Sequence, residues 1–287
     1  MNFFVEGETD RADKYLAVFL KVSRSTVQKY FKQGYVSQDG RRLKASSLIS
    51  HGDTIFLDFP QMEDAQLIAH YPYIPIFYED ASIVVINKPA GVLSQRVEGS
   101  KEACVGTLLR KQGVHLAGGE DSGRPGLVHR LDRYTEGLMV LTKTEAAWSD
   151  LKEQFALHLV EKKYYAWVYG NFLKPFSTIN KPIARHSRQR QRYVLSSKGR
   201  VAETHITRLI GYQTKTLLSL QPTTGRTHQL RVHLSSIGHS IIGDPVYAKK
   251  RGLGQLLQAY YLSFRSIGLK KNICFELGLS SRLYSRC

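Results

Sequence analysis

Apolar positions in this chain of 287 residues fall into two rhythms. Near the N-terminus, Leu16, Phe19 and Leu20 follow a cap at Thr9 or Asp10, and Val27, Tyr30 and Phe31 follow Ser25 and stop at Gly34. That spacing predicts two short helices. Tyr35 and Val36, an Asp39-Gly40 turn, and a closing strand over 54–59 introduced by His51-Gly52-Asp53 predict a small sheet beside them. Residues 61–74 have no strong periodicity, and Met62, Glu63 and Asp64 break a basic neighbourhood. They read as a linker between a small domain, 8–60, and a body, 75–287.

In the body an apolar run over 83–86 ends in the turn Lys88-Pro89-Ala90-Gly91, and a helix is expected near 106–111. A Gly-rich loop over 118–126 leads into a strand-like run, Gly126 to Leu131. A strand over 138–142 is followed by a helix starting at Thr144, with Ala147, Leu151 and Phe155 on one side. Alternation over 161–170, EKKYYAWVYG, sends Tyr164, Ala166 and Val168 to one face and Tyr165 to the other. Leu230, Leu234 and Ile237 predict a helix closed by Gly238, with His228, Arg231 and Ser235 sharing another of its faces.

Composition narrows the function. The chain is 42% hydrophobic and 23% charged, ordinary for a globular protein, but its 41 Lys and Arg against 24 acids give a net charge of +17. Such a balance points to a polyanionic partner, with nucleic acid the leading candidate. A membrane is the other polyanion, yet no apolar stretch approaches the roughly 18 residues of a spanning helix. The N-terminus lacks a basic start, an apolar core and a small-residue cleavage site, so the protein is expected in the cytoplasm. Cys104, Cys274 and Cys287 are odd in number and form no CxxC, which reads as reduced bystanders. His228, His233 and His239 lack metal-motif spacing, and no metal is expected.

Two blocks carry the chemistry. Residues 129–138 read HRLDRYTEGL and residues 225–234 read GRTHQLRVHL. Asp132 stands between Arg130 and Arg133, where a carboxylate can act as nucleophile or base. An Asp beside two arginines is on its own more often a surface ion pair. With Thr135, Gly137 and the strand LMVLTK, however, the first block closely resembles the central motif of the RluA-type pseudouridine synthases. EKKYYAWVYG resembles that family's second motif, and QPTTGRTHQLRVHLSSIGHSIIGDPVY its third, in the same order. The segment RADKYL, SRSTVQKYFKQGYVSQDGRRLK, HGDTIFL resembles the S-four RNA-binding domain of the ribosomal small subunit.

The resemblance implies an α+β fold: a mixed, largely antiparallel sheet flanked by helices, behind a small α+β domain. It implies that Asp132 is catalytic, that Tyr164 stacks on the uracil and assists loss of its carbon 5 proton, and that Arg231 pairs with Asp132. Arg130 would fill the gap left by the flipped base, and His129, Arg133, Lys88, Arg226 and His228 would line the substrate cleft. RNA phosphates would be met by Lys14, Arg24, Lys29, Lys32, Arg41 and Arg42, and by Arg188, Arg190 and Arg192 in the loop over 185–200. No cofactor is expected. The partner would be RNA, large-subunit ribosomal RNA first and transfer RNA second, bound by a monomer. The other readings are a non-enzymatic ribosome assembly factor, and a glycosidase using Asp132 with Glu136 as a carboxylate pair. The chain departs from the family pattern where Tyr134 stands for a common Asp, Glu136 for a Ser, Ser240 for a Pro and Gln258 for a His.

Overall fold

A computed structural model describes residues 2–5, 9–19, 24–57, 73–97, 102–118, 124–189, 191–248 and 254–284. The chain divides into two compact units, residues 1–63 and 64–287. In the first, β1 (Asn2–Phe4), β2 (Asp10–Arg11), α1 (Ala12–Phe19), α2 (Arg24–Gln33), β3 (Val36–Gln38), β4 (Arg41–Arg42), β5 (Leu48–Ile49) and β6 (Thr54–Leu57) follow in order. A sheet ordered β1-β6-β3-β4 packs with the helices through Leu16, Val27, Phe31, Val36 and Ile55. Leu16 of the first anticipated face and Val27, Tyr30 and Phe31 of the second meet in this core, whereas Phe19 is exposed and Leu20 lies outside the described residues.

Asp13 on α1 is fully buried, and burial by itself would raise its pKa. Hydrogen bonds from Arg24 at 3.0 and 3.2 Å, from Gln28 at 3.1 Å and from Arg11 at 3.2 Å outweigh that cost and hold the carboxyl well below the usual range. Arg24 is therefore engaged in fixing α1 to α2, while half of its side chain stays exposed. Lys14 pairs with Asp10 at 3.1 Å on the surface. Lys32, Arg41 and Arg42 are exposed. The side chain of Lys29, and the stretch 58–72 that takes in nearly all of the expected linker, lie outside the described residues.

The second unit contains β7 (Ile76–Glu79), β8 (Ile83–Lys88), α3 (Val105–Lys111), β9 (Glu136–Thr142), α4 (Glu145–Ala156), β10 (Glu161–Tyr169), β11 (Phe176–Asn180), β12 (Ile183–Arg185), β13 (Tyr193–Leu195), β14 (Glu203–Gly211), β15 (Lys215–Pro222), α5 (Gln229–Ser236), β16 (Leu257–Arg265), β17 (Asn272–Glu276) and α6 (Ser281–Tyr284). A nine-stranded sheet runs β11-β14-β15-β10-β16-β9-β8-β7, with β17 on β16. Every pairing is antiparallel except β9 with β16. At that junction a Cβ on Gly137 would overlap the Ala259 carbonyl, so the φ of +112° and the lack of a side chain are both required. Ile74, expected in the linker, is fully buried in the body's core and exchanges hydrogen bonds with the Gln112 amide at 2.8 and 3.0 Å.

Alternation along the central strands divides the core by face. Val84, Ile86, Met139 and Leu141 pack with Leu108 and Leu109 of α3, while Ile83, Val85, Leu138 and Val140 pack with Ala147 and Leu151 of α4. Thr144 caps α4 by accepting the Ala147 N–H at 3.3 Å. Ala166 and Val168 meet Leu230 and Leu234 of α5, as their spacing predicts. Tyr165 turns to the opposite face, beside Trp167.

The run Gly126 to Leu131 is not the strand its composition suggests. One side of β9 is occupied by β8, and on the other β16 pairs only with Glu136 and Gly137. Farther along, the Val140 N–H is taken by the His129 side chain, and the run makes only a bridge from Leu127 to Leu141 and a bond from the Thr142 N–H to the Gly126 carbonyl at 2.9 Å. Asp132 is therefore presented by a loop. The basic segment over 185–200, read as a loop, is built on a hairpin of β12 and β13.

Candidate active site

The loop carrying Asp132 is pinned on both sides. Ser94 Oγ accepts the Leu131 N–H at 3.1 Å and donates to the Leu131 carbonyl at 2.7 Å, and the Thr135 N–H donates to the Asp132 carbonyl at 3.0 Å. Beneath it the fully buried Lys88 ammonium donates to the carbonyls of Pro89 at 2.9 Å, Val92 at 2.8 Å and Arg133 at 3.1 Å. Burial pushes the Lys88 pKa down to about 7 against the opposing charges of Asp132 and Glu136. Lys88, expected in contact with substrate, instead joins the turn after β8 to the loop that carries Asp132.

From α5, Arg231 Nη1 donates to Asp132 Oδ2 at 2.9 Å. Its Nε and Nη2 grip Asp244 Oδ2 and Oδ1 at 2.7 and 2.9 Å, a two-pronged contact between side chains only 5% and 1% exposed. Asp244 also accepts the N–H groups of Val246 at 2.8 Å and Tyr247 at 3.0 Å. Burial, which lowers an arginine pKa, is outweighed by Asp244 and Asp132, so Arg231 stays charged. For Asp244 burial is likewise outweighed, by Arg231, and its pKa is lowered. Asp132 thus ends a chain of charges with its side chain 17% exposed, partly open to an incoming group.

His228 caps α5 in the left-handed region at φ 59°. Its Nδ1 lies 2.9 Å from the Tyr247 hydroxyl and its Nε2 3.8 Å from Asp132 Oδ2. Burial lowers its pKa. The Tyr247 hydroxyl also accepts the Tyr193 N–H at 2.8 Å, linking the site to the base of the basic hairpin, and burial raises its pKa to about 12. Arg192 stacks over the Tyr247 ring at 5.8 Å, and Arg188 is exposed. Arg190 lies outside the described residues. Tyr164 packs where the clusters around α3 and α5 meet, and burial followed by the Asp132 charge push its phenol well above the usual range.

Several expected substrate contacts are occupied otherwise. The ring of His129 stacks on Phe155 with centroids 4.6 Å apart, and its Nε2 accepts the Val140 N–H at 3.0 Å. Burial, then the charge of Lys162, depress its pKa to about 3, so it is a neutral part of the scaffold between β9 and α4. Arg133 donates to the Gly91 carbonyl at 3.1 Å and pairs with Glu102 at 3.1 Å, so the arginines beside Asp132 in sequence are not its partners. Arg226 donates to the Val201 carbonyl at 2.9 Å. Arg130 is exposed. Glu136 accepts from Ser280 at 2.8 Å and lies 3.7 Å from Arg282, contacts that engage it with the segment after β17. Asp244 and Tyr247 were missed, although both belong to the GDPVY end of the third motif.

Comparison with known proteins agrees with this geometry. The family model described as RNA pseudouridylate synthase matches residues 82–236. A protein of Bacillus subtilis (strain 168) named uncharacterized RNA pseudouridine synthase YlyB is 36% identical over 266 residues, spanning 90% of this chain and 87% of that protein. The ribosomal large subunit pseudouridine synthase D of Pseudomonas aeruginosa is 37% identical over 238 residues, spanning 83% of this chain and 73% of its own. Among solved structures, human RNA pseudouridylate synthase domain containing 1 superposes with a TM-score of 0.58 at 25% identity, over 72% of this chain and 83% of that one. The chain belongs to the RluA-type RNA pseudouridine synthases, isomerases that act on RNA.

Proposed function

We propose that the protein converts uridines of large-subunit ribosomal RNA to pseudouridine, with Asp132 as the catalytic aspartate. The observation that carries the catalytic assignment is the chain Asp244–Arg231–Asp132, which fixes one partly open carboxylate by a buried cation. The reaction breaks the bond from ribose C1′ to uracil N1 and makes one from C1′ to C5. The C5 hydrogen leaves as a proton and N1 gains one, so the isomerisation balances with no net oxidation. Asp132 serves the sugar or the base while the uracil turns, and Arg231 holds its carboxylate in line. Tyr164 supplies a face for the uracil ring. Its raised pKa keeps it a phenol, which disfavours a resting phenolate as the group that takes the C5 proton.

The target uridine must leave its stack, at a cost of about a few kcal/mol that phosphate contacts offset. The net charge of +17, the small domain in its S-four reading, and the basic hairpin supply those contacts. Support for the large subunit comes from relatives such as the Pseudomonas enzyme, whose name carries that substrate. A monomer acting in the cytoplasm completes the reading. Among the described residues no helix is long and apolar enough to cross a membrane.

The test is tritium release from RNA labelled at uracil C5, with large-subunit RNA, small-subunit RNA and a transfer RNA pool as substrates and Asp132→Asn as control. Release from large-subunit RNA by the wild type alone, without free uracil, is expected. Release only from transfer RNA would overturn the substrate, and an active Asp132→Asn would overturn the catalytic assignment.

A further inference from the structure

We propose that the C-terminal segment Gly278–Leu283 is a strap that positions Asp132, with Arg282 as its working residue. The proposal rests on Asp132 being the catalytic aspartate. Arg282 Nη1 donates to the Tyr134 carbonyl at 3.2 Å, and Nη2 donates to the carbonyls of Gly254 at 3.0 Å and Gln255 at 3.1 Å. One planar guanidinium therefore gathers main-chain acceptors from two separate loops.

One of those loops carries Asp132, and the other lies against the turn that carries Asp244. Tyr134 lies inside the turn closed by the bond from the Thr135 N–H to the Asp132 carbonyl. Gly254 donates its N–H to the Gly243 carbonyl at 3.1 Å, and Gly243 immediately precedes Asp244. A Cβ on Gly243 would stand 2.5 Å from the Gly254 carbonyl, so these backbones touch with no room for a side chain. The Gln255 amide adds a bond to Thr135 Oγ1 at 3.1 Å. Arg231 joins Asp132 to Asp244 through their side chains, and Arg282 joins the backbone of the Asp132 turn to the Gly254–Gln255 backbone that is bonded to the Asp244 turn.

The strap is itself fastened. Gln258 accepts the Ser280 N–H at 2.9 Å and donates to the Gly278 carbonyl at 2.8 Å. Ser280 Oγ donates to Glu136 at 2.8 Å, the Trp167 indole donates to the Leu283 carbonyl at 2.9 Å, and the Leu283 side chain is fully buried. Glu136 and Gln258 are thus both anchors of the strap. Their role in binding Gly278–Leu283 accounts for residues that the mechanism does not use.

A strap that merely cements the fold would affect stability and leave turnover alone, whereas a positioning strap acts on kcat. Full-length Arg282→Ala, Arg282→Lys, Glu136→Ser and Asp132→Asn would be compared for C5 tritium release and for Tm. For Arg282→Ala we expect kcat to fall about tenfold or more with KM for RNA within about twofold, and Arg282→Lys to recover part of the loss. Methylguanidinium in the buffer should restore part of the Arg282→Ala rate, which a general loss of stability would not permit. A folded Arg282→Ala with kcat within about twofold of wild type, beside an inactive Asp132→Asn, would overturn the strap. Should Arg282→Ala not fold, Glu136→Ser decides: a kcat loss of about threefold or more supports the strap, and an unchanged kcat overturns it. An active Asp132→Asn would instead bring down the catalytic assignment beneath it.

Discussion

Replacing Asp244 with Asn tests whether the carboxylate behind Arg231 matters to the chemistry. The substitution keeps the shape of the side chain but removes its charge and one acceptor, so the grip at 2.7 and 2.9 Å is reduced to at most one neutral bond. Arg231 is 5% exposed at its side chain, and water replaces little of what is lost. Removing one partner of a buried pair costs about 3–5 kcal/mol, and the amide, whose oxygen still accepts from both Val246 and Tyr247, should hold the loss near the lower end. The guanidinium then answers to Asp132 alone and pulls that carboxylate from its place. A displacement of this order lowers kcat by about 10–100-fold, or about 1.4–2.7 kcal/mol of barrier. Neither residue lies on an exposed surface, so KM for RNA should stay within about twofold of wild type. Tritium release under saturating RNA gives kcat, and chemical denaturation gives the stability change. A folded Asp244→Asn enzyme with wild-type kcat would refute the argument, as would a loss confined to KM.

Tyr247→Phe removes the hydroxyl that holds both the Tyr193 N–H and His228 Nδ1, and so loosens the basic hairpin from the site. KM for RNA should rise about three- to tenfold at a stability cost of about 1–2 kcal/mol, and unchanged steady-state kinetics would count against that link. His129 gives a pH test with a defined sign. Its folded pKa of about 3 lies below the unfolded value of about 6.5, so the unfolded chain binds the proton first as pH falls. Its contribution is complete above about pH 6.5 and is lost on the way down to about 3. His129→Phe should be less stable at pH 7.5, because the Val140 N–H loses its acceptor, yet should show a flatter decline between pH 6.5 and 4.5. Equal slopes for the two proteins would show that His129 does not carry that titration.

Which parts of this site could be read from the chain follows from how far each interaction reaches. In β10 and α5 the period of the apolar residues suffices to orient Tyr164 and Arg231, although both elements are buried on more than one side, with Trp167 opposite Ala166 and with Val232 and His233 buried beside Leu230 and Leu234. Asp132 gave the opposite lesson. Its neighbours Arg130 and Arg133 look like its partners, but adjacent residues in a loop point apart, and Arg133 turns to Glu102 while the cation that reaches Asp132 comes from 99 residues away. His129 resembles a cleft residue by its place in the motif and becomes scaffold because α4 sets Phe155 beneath its ring, a contact that only tertiary packing creates. Gly126 to Leu131 has strand composition but meets β9 only at the Leu127–Leu141 bridge, because the His129 side chain, not a backbone carbonyl, takes the Val140 N–H. Asp244 had a signal that could be used: an acid in Gly-Asp-Pro just past an arginine-bearing helix needs buried donors, and Arg231 lies 13 residues upstream. A charge committed to the interior is best sought by asking which opposite charge on a nearby apolar helix lacks a solvent-facing place.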